Sequence, residues 1–166
     1  MALSAVLVGT MGAGKTSVGQ AVARMLGVPF ADTDAIIEAK AGKPIPEIFF
    51  DDGEDAFRLL ERETVAAALT DFDGVLALGG GAIMNEATRD LLAGHTVVWL
   101  SVELSDAVKR VGLGAGRPMI SINPRATMKY LLDQRKPLYA SVATHTVSTD
   151  GREIDDIAAE VVALLK

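Results

Sequence analysis

The sequence has 166 residues, a length that suits one compact domain with a core large enough to need no disulfide. It is 49% hydrophobic and 23% charged, which is the balance of an ordinary globular protein. It contains no cysteine, and this excludes a disulfide framework, a thiolate metal site and a cysteine nucleophile. The formal net charge of −6 argues against nucleic acid as the main partner, because a phosphate backbone requires a basic face.

The apolar runs and the first residues indicate where the chain is located in the cell. The apolar runs are short, for example residues 97–100 and 161–165, and none has the length of a membrane span. The first residues lack the basic segment that opens a secretory signal peptide. We therefore expect a cytoplasmic chain without a membrane partner, and nothing in the sequence requires more than a monomer.

Short apolar runs alternate along the chain with longer segments of helical spacing. Five runs are typical of buried strands, the second and the last more weakly: residues 5–8, 29–31, 75–78, 96–100 and 146–148. Three segments have the spacing of amphipathic helices: residues 16–26, 54–69 and 153–165. This alternation predicts an α/β fold in which helices cover both faces of a parallel sheet.

Two regions depart from the alternation. Residues 42–53 contain two prolines and an aromatic pair, and they are interpreted as a short break in the pattern. Residues 112–124 contain three glycines and two prolines without a helical period. Loops of this kind are often active-site lids, so we predict a lid at residues 112–124 within a single domain spanning residues 1–166.

A phosphate-binding motif follows the first predicted strand. Residues 9–16, GTMGAGKT, fit the P-loop pattern G-x-x-x-x-G-K-[ST], with a strand before and a helix after. Glycines at such positions let backbone amides converge on phosphate, and the helix amino terminus adds partial positive charge. Lys15 would reach the terminal phosphates, and the Thr16 hydroxyl would ligate Mg²⁺. The alternative is a glycine-rich turn without a ligand.

A P-loop by itself does not name a reaction, since GTPases, motors and small-molecule kinases all have one. The sequence has no Asn-Lys-x-Asp string for reading guanine, and it is short for a motor core. A small kinase needs acidic groups near the metal, an acceptor pocket and cations over the transferring group.

The acidic groups are predicted at the end of the second strand, where Asp32 and Asp34 flank one threonine. Residues two apart share a face of an extended strand, and the carboxyl ends of parallel strands point at the ligand crevice. One carboxylate could support the metal through water, and the other could hold an acceptor hydroxyl. Two aspartates capping the next helix are the alternative. Beside a P-loop, the functional interpretation is favoured.

Three arginines are candidates for binding anions, because a guanidinium binds carboxylate or phosphate in a bidentate manner. Arg58 lies in a predicted helix, Arg117 in the predicted lid, and Arg135 in the string RKPLY. A surface position is the alternative for each of them. Arg58 could also pair with Glu54 or Glu61 at helical spacing.

Three consecutive glycines, Gly79, Gly80 and Gly81, follow the predicted strand at residues 75–78. Without side chains, their backbone amides could approach a ligand closely. A loose turn from strand to helix is the alternative.

Taken together, these pieces resemble the shikimate kinase family over nearly the whole chain. The resemblance rests on the following motifs in one order: GTMGAGKT from Gly9, Asp32-Thr33-Asp34, Phe49, Phe57-Arg58 with Glu61, Leu78 to Ala82, Arg110, Arg117-Pro118, and Arg135 to Tyr139.

The resemblance implies a three-layer α/β/α domain with a central five-stranded parallel sheet, of the P-loop, nucleoside-monophosphate-kinase-like type with a lid. It implies transfer of the γ-phosphoryl group of ATP to the 3-hydroxyl of shikimate, with one Mg²⁺ as cofactor and ATP as co-substrate. The reaction would yield shikimate 3-phosphate for the biosynthesis of chorismate and aromatic amino acids.

The resemblance also implies roles for individual residues. Residues 34–61 would form the substrate-binding region. Catalytic roles fall on Lys15, Asp34 and Arg117. ATP-binding roles fall on Gly12, Ala13, Gly14, Lys15, Thr16, Ser17, Arg110, Arg117 and Arg152. Substrate-binding roles fall on Asp34, Phe49, Phe57, Arg58, Glu61, Gly79, Gly80, Gly81 and Arg135. Metal-binding roles fall on Thr16 and, through water, on Asp32.

Two other functions compete with this one. Gluconate kinase also handles a carboxylated polyol, so two arginines do not exclude it. A nucleotide-binding switch without phosphoryl transfer belongs to a second class, but the intact Lys15, Thr16, Asp34 and Arg117 disfavour it. His95 and His145 have no metal-ligand partner at suitable spacing and are interpreted as structural.

Overall fold

The structure is a computed structural model that describes residues 3–10, 13–103 and 124–165. Gly12, Arg110 and Arg117, for which the sequence predicts site roles, lie outside the described residues. So does the predicted lid at residues 112–124, apart from its last residue.

Five strands form one parallel sheet at the centre of the described chain. They are β1 (Ala5–Val8), β2 (Phe30–Asp32), β3 (Val75–Ala77), β4 (Val97–Ser101) and β5 (His145–Ser148). Their order across the sheet is β2-β3-β1-β4-β5, so β1 lies in the middle. Leu7 on β1 pairs with Ala77 on one side and with Val98 on the other. The prediction of a five-stranded parallel sheet is confirmed.

Helices follow the strands and cover both faces of the sheet. They are α1 (Lys15–Leu26), α2 (Thr33–Ala41), α3 (Ile45–Asp52), α4 (Glu54–Asp71), a 3₁₀ turn (Ala82–Met84), α5 (Glu86–Leu91), α6 (Pro124–Val142) and α7 (Ile154–Leu165). In the described ranges, no helix is long and apolar enough to cross a membrane.

Two apolar clusters divide the molecule into three layers. Side chains alternate along a strand, so Leu7 of β1 joins the cluster that contains Val22 of α1 and Val161 of α7. Its neighbour Val6 joins the opposite cluster with Val65 of α4 and with Tyr139 of α6. The described fold is therefore the predicted α/β/α arrangement.

The interpretation of residues 42–53 as a break was wrong, because α3 (Ile45–Asp52) occupies most of them. Pro44 is the N-cap of this helix with φ −68°, and Pro46 stands in its first turn. Prolines there remove no intrahelical hydrogen bond, since the first amides of a helix have no helical acceptor. The helix packs Ile45 and Ile48 against α2 and α4 in a small third cluster.

Candidate active site

A cleft of about 510 Å³ lies at the carboxyl ends of β1, β2 and β3. It brings together every described residue for which the sequence predicted a site role. These are Ala13, Gly14, Lys15, Thr16, Ser17, Asp32, Asp34, Phe49, Phe57, Arg58, Glu61, Gly79, Gly80, Gly81, Arg135 and Arg152. Ligands of open parallel sheets bind at this edge, so the position itself marks the cleft as the site.

The phosphate end of the cleft is formed by the loop between β1 and α1. Gly9 has φ +152°, and a Cβ atom there would lie 2.6 Å from the Leu100 carbonyl oxygen. Gly14 begins α1 as its N-cap, in the left-handed region at φ +88°. Glycine at these two positions lets the loop fold tightly over β4 and direct the amino terminus of α1 into the cleft.

Lys15 is held at the same end by the loop that precedes it. Its Nζ atom donates to the Gly9 carbonyl oxygen at 2.7 Å and to the Thr10 carbonyl oxygen at 3.1 Å. These bonds fold the side chain back over the loop, so the positive charge lies where a P-loop receives phosphate.

Thr16 and Asp32 meet beside the loop. The Thr16 hydroxyl donates to Asp32 Oδ2 at 2.9 Å, while Asp32 Oδ1 accepts from the Asp34 amide at 2.8 Å. Asp32 thus caps α2, which is the alternative weighed from the sequence, and its other carboxylate oxygen faces the P-loop. A hydroxyl and a carboxylate are hard oxygen ligands of the kind that Mg²⁺ takes with substrate phosphates and water.

Asp34 was expected on the strand together with Asp32, and this was wrong. The strand ends at Asp32 and α2 begins at Thr33, so Asp34 lies in the first turn of the helix. The cap made by Asp32 is the cause, because it starts the helix immediately. Asp34 still reaches the cleft, where it lies against Gly79: a Cβ on that glycine would be 2.5 Å from Asp34 Oδ1.

The three glycines after β3 form the floor of the acceptor end. The Gly79 amide donates to the Thr33 hydroxyl at 3.1 Å. A Cβ on Gly81 would lie 2.7 Å from Arg58 Nη1 and 2.8 Å from Nη2, so the guanidinium lies directly on this backbone. The absence of side chains lets Asp34 and Arg58 approach the same loop from two different helices.

Arg58 and Glu61 form an ion pair on the cleft-facing side of α4. Arg58 Nη1 lies 2.7 Å from Glu61 Oε1, and its Nε lies 3.5 Å from Glu54 Oε2. Both pairings considered from the sequence therefore occur. Glu61 is buried, and burial raises the pKa of its carboxyl group, although the charge of Arg58 acts in the opposite direction.

Arg135 on α6 faces the same space and is only 3% exposed. Its Nε has no hydrogen-bond partner, and no described carboxylate lies within ion-pair distance of its guanidinium. A buried cation without an acidic partner is costly, so a site that keeps one is suited to an anionic ligand.

Phe49 and Phe57 supply an apolar wall. Their ring centroids lie 4.9 Å apart with planes tilted by 32°. Arg58 lies 5.2 Å from the Phe57 ring centroid, which further fixes the guanidinium. The wall and the cations together suit a small ring that carries a negative charge.

Arg152 lies in the cleft wall near the amino terminus of α7. It donates to the Ser148 carbonyl oxygen at 2.9 Å and pairs with Glu160 at 2.7 Å. His95 and His145 do not line the cleft. Within the part of the chain that the structure describes, no group of three or more His, Cys, Asp or Glu side chains could hold a metal ion.

Sequence reasoning missed two buried polar residues behind the cleft, Thr33 and Tyr139. Thr33 accepts from Gly79 as described, and the Tyr139 hydroxyl donates to the Gly80 carbonyl oxygen at 2.6 Å. A signal for Tyr139 was present, since it follows Arg135 by four residues and therefore shares its helical face. For Thr33 no comparable signal exists, because its partner lies 46 residues away.

The fold and the cleft define a class first. A glycine-rich loop follows the central strand of this parallel sheet and leads into Lys15 and Thr16 at the start of α1. It lies next to a carboxylate-lined acceptor pocket, and this is the architecture of a P-loop phosphotransferase. Comparison with known proteins then identifies the family: the sequence model for shikimate kinase matches residues 11–166. The chain belongs to the shikimate kinase family.

Individual relatives agree with this assignment. The chain is 66% identical over 165 residues to the shikimate kinase of Salinispora arenicola, covering 99% of each chain. It is 58% identical over 159 residues to that of Thermobifida fusca, covering 96% of this chain and 92% of the other. The resemblance inferred from the motifs is therefore confirmed, as is the class of ATP-dependent phosphotransferase.

The fold also matches that of a solved shikimate kinase structure. The shikimate kinase of Acinetobacter baumannii, solved in complex with shikimate, superposes with a TM-score of 0.95 at 36% sequence identity. The match covers 99% of this chain and 93% of that one.

Proposed function

We propose that this chain transfers the γ-phosphoryl group of ATP to the 3-hydroxyl of shikimate, giving shikimate 3-phosphate and ADP. The observation that carries the proposal is Arg135, a buried arginine whose Nε lacks a partner, at the acceptor end of a cleft that begins in a P-loop. Such a cation suits a carboxylate, and shikimate is a carboxylated ring with three hydroxyl groups.

ATP binds at the phosphate end in this proposal. The backbone amides of residues 13–17 and the amino terminus of α1 receive the phosphates, and Lys15 neutralises charge on the transferring group. Arg152 contacts the nucleotide at the wall formed by α7. Gly12, Arg110 and Arg117 complete the ATP site by family resemblance, with Arg117 as the lid arginine.

Mg²⁺ is part of the proposal because the oxygen ligands beside the P-loop fit it. Thr16 would ligate the ion and Asp32 would support it through water, consistent with their 2.9 Å contact. When bound, Mg²⁺ neutralises phosphate charge and so favours departure of ADP.

The acceptor is held by charge and shape. Arg58 and Arg135 bind the shikimate carboxylate from two helices, and the aromatic wall of Phe49 and Phe57 contacts the ring. Glu61 keeps Arg58 in place through their 2.7 Å pair. The backbone of residues 79–81 forms the remaining side.

Asp34 directs the reacting hydroxyl towards the γ-phosphorus. Phosphoryl transfer passes through a loose transition state, so correct positioning and charge stabilisation account for most of the rate. Asp34 is therefore proposed first as a positioning group. In this proposal its carboxylate also accepts the hydroxyl proton as the new O–P bond forms.

The test is ADP release from ATP and Mg²⁺ with shikimate, gluconate or a nucleoside monophosphate as acceptor. Turnover with shikimate alone supports the proposal, and the product should be a phosphate monoester that comigrates with shikimate 3-phosphate. Turnover with gluconate or a nucleotide would contradict the acceptor assignment. ATP binding without acceptor-dependent turnover would indicate a nucleotide-binding switch.

Three further expectations stay predictions. They are a monomer, a cytoplasmic location, and a single domain with a substrate-binding region at residues 34–61 and a lid at residues 112–124. Sedimentation of the purified chain tests the first, and imaging of a tagged chain tests the second. Protease sensitivity at residues 112–124, with and without both ligands, tests the third.

A further inference from the structure

The glycine loop of the acceptor pocket is anchored by two side chains that do not line the cleft. Thr33 holds the Gly79 amide at 3.1 Å, and Tyr139 holds the Gly80 carbonyl oxygen at 2.6 Å. Three consecutive glycines have no side chains to restrict their backbone, so their position depends on such outside contacts. The two anchors come from different elements, α2 and α6.

Tyr139 also lies beside the cation of the pocket. It follows Arg135 by four residues on α6, which puts both side chains on one face of the helix. Burial raises the pKa of Tyr139 to about 12, although the nearby charge of Arg135 acts in the opposite direction. The hydroxyl therefore remains a donor at neutral pH.

The ring of Tyr139 is fixed before any ligand binds. It is 1% exposed and stacks on Trp99 with centroids 5.7 Å apart and planes at 28°. Trp99 lies on β4, so the stack ties the hydroxyl to the central sheet. A hydroxyl set by a rigid ring is a precise reference point for the groups bound to it.

We propose that Tyr139 is a positioning residue for the acceptor. Its buried hydroxyl holds the Gly80 carbonyl oxygen, and Arg135 lies one helical turn away on the same face, so this part of α6 sets the pocket floor relative to the carboxylate-binding cation. Tyr139 does not line the cleft and acts through the Gly80 carbonyl oxygen. The inference rests on the acceptor assignment of the proposed function.

The same hydrogen bond could merely stabilise the core, and kinetics separates the two roles. A merely structural bond would lower the stability and leave the KM of folded enzyme for shikimate unchanged. A positioning bond raises the KM for shikimate and spares the KM for ATP, because the P-loop shares no described contact with Tyr139.

The experiment compares Tyr139→Phe with Thr144→Val in the full chain. Phe keeps the ring and its stack on Trp99, the only tryptophan in the sequence, so unchanged tryptophan emission verifies local packing. Thr144 is the control because its hydroxyl accepts from the Val97 amide at 3.0 Å at the opposite end of the sheet. Tyr139→Phe should raise the KM for shikimate about tenfold, which is the worth of one lost hydrogen bond to a charged or buried group. Thr144→Val should leave it unchanged.

Incorporation of 4-aminophenylalanine at position 139 tests the mechanism. Its amine can donate to the Gly80 carbonyl oxygen as the hydroxyl does, so the KM for shikimate should lie close to the wild-type value. An unchanged KM in Tyr139→Phe, or an equal rise in Thr144→Val, would overturn the inference. Should Tyr139→Phe not fold, a tenfold rise in the KM of the aminophenylalanine variant, whose donor is intact, would overturn it.

The same assays separate this inference from the proposed function. A wild-type chain that does not phosphorylate shikimate contradicts the proposed function itself. A wild-type chain that does so, with KM values insensitive to the tyrosine hydroxyl, contradicts only the role of Tyr139.

Discussion

The two ends of the cleft are built in different ways. The phosphate end is almost contiguous in sequence: the loop that leaves β1, the first turn of α1, and Asp32 from the neighbouring strand. The acceptor end takes between one and a few residues each from α2, α3, α4, the loop after β3, and α6. Local backbone geometry therefore fixes the first end, whereas packing between elements fixes the second.

The cations at the two ends have different partners. Lys15 is held by carbonyl oxygens of its own loop, five and six residues away. Arg58 is held by Glu61 and Glu54 within one helix, and Arg135 is buried without a described acidic partner. Substitutions at the phosphate end should therefore affect the chemical step, and those at the acceptor end should affect substrate binding.

Lys15→Ala should have the largest effect. It removes the positive charge that stabilises the transferring phosphoryl group, and loss of one such group typically lowers kcat about 100- to 1,000-fold. Steady-state ADP release at saturating shikimate measures this. Lys40→Ala, at an exposed position of α2, is the charge-matched control. Retention of most of kcat in Lys15→Ala would contradict the catalytic role.

Arg135→Ala should come next, as a rise in the KM for shikimate. Removing a buried cation that binds a carboxylate costs about 2 to 4 kcal/mol of binding free energy. Arg135 has no acidic partner within ion-pair distance among the described residues, so its charge is available to the substrate. Arg58→Ala should cost less, because its side chain is 27% exposed and already pairs with Glu61. Arg135→Lys keeps the charge but loses the bidentate fork, so it should fall between Arg135→Ala and the wild type. A larger effect in Arg58→Ala than in Arg135→Ala would reverse this order.

The glycine loop gives a finer comparison within the acceptor end. A Cβ in Gly79→Ala would lie 2.5 Å from Asp34 Oδ1 and 3.1 Å from Glu61 Oε2, so the half-buried carboxylate of Asp34 and the buried one of Glu61 must move. The three atoms nearest to a Cβ in Gly81→Ala all belong to the guanidinium of Arg58, the far end of a flexible side chain. We expect kcat/KM for shikimate to fall about tenfold or more in Gly79→Ala and less in Gly81→Ala. Equal losses would mean that Asp34 is not held against this loop.

The difference between the two ends also explains what the sequence could predict. The strands, the P-loop and the family followed from periodicity and from contiguous motifs. Asp34 was placed on the wrong element because the strand ends at Asp32, whose side chain caps a helix that begins at Thr33. The helix α3 was missed because prolines usually break helices but are tolerated in a first turn.

The helical spacing of Tyr139 from Arg135 was visible in the sequence, but the contacts of Thr33 and Tyr139 with the glycine loop were out of reach for a physical reason. The Gly80 carbonyl oxygen and the Tyr139 hydroxyl are separated by 59 positions in the chain, and only the packed fold brings them together. The pairing of Arg58 with Glu61, three residues apart on one helix, was by contrast visible from spacing alone.

The smallest predicted effect concerns Glu61, whose buried carboxyl group makes the free energy of unfolding depend on pH. Burial raises its pKa above the ordinary value of 4.5, so the folded chain binds this proton more tightly than the unfolded chain. The stabilising contribution of Glu61 to the free energy of unfolding is therefore fully present below pH 4.5, and it is lost as the pH rises through the raised pKa.

Urea unfolding of the wild type and of Glu61→Gln across this pH range measures the contribution. Gln cannot ionise, so the wild type should lose stability relative to the variant as the pH rises, by about 1.4 kcal/mol for each unit of pKa shift. Glu63→Gln, an exposed position on the same helix, controls for loss of a carboxylate from α4. A difference that shrinks or reverses with rising pH would mean that Arg58 stabilises the ionised form more than burial opposes it. The acceptor end would then be as strongly preorganised by charge as the phosphate end.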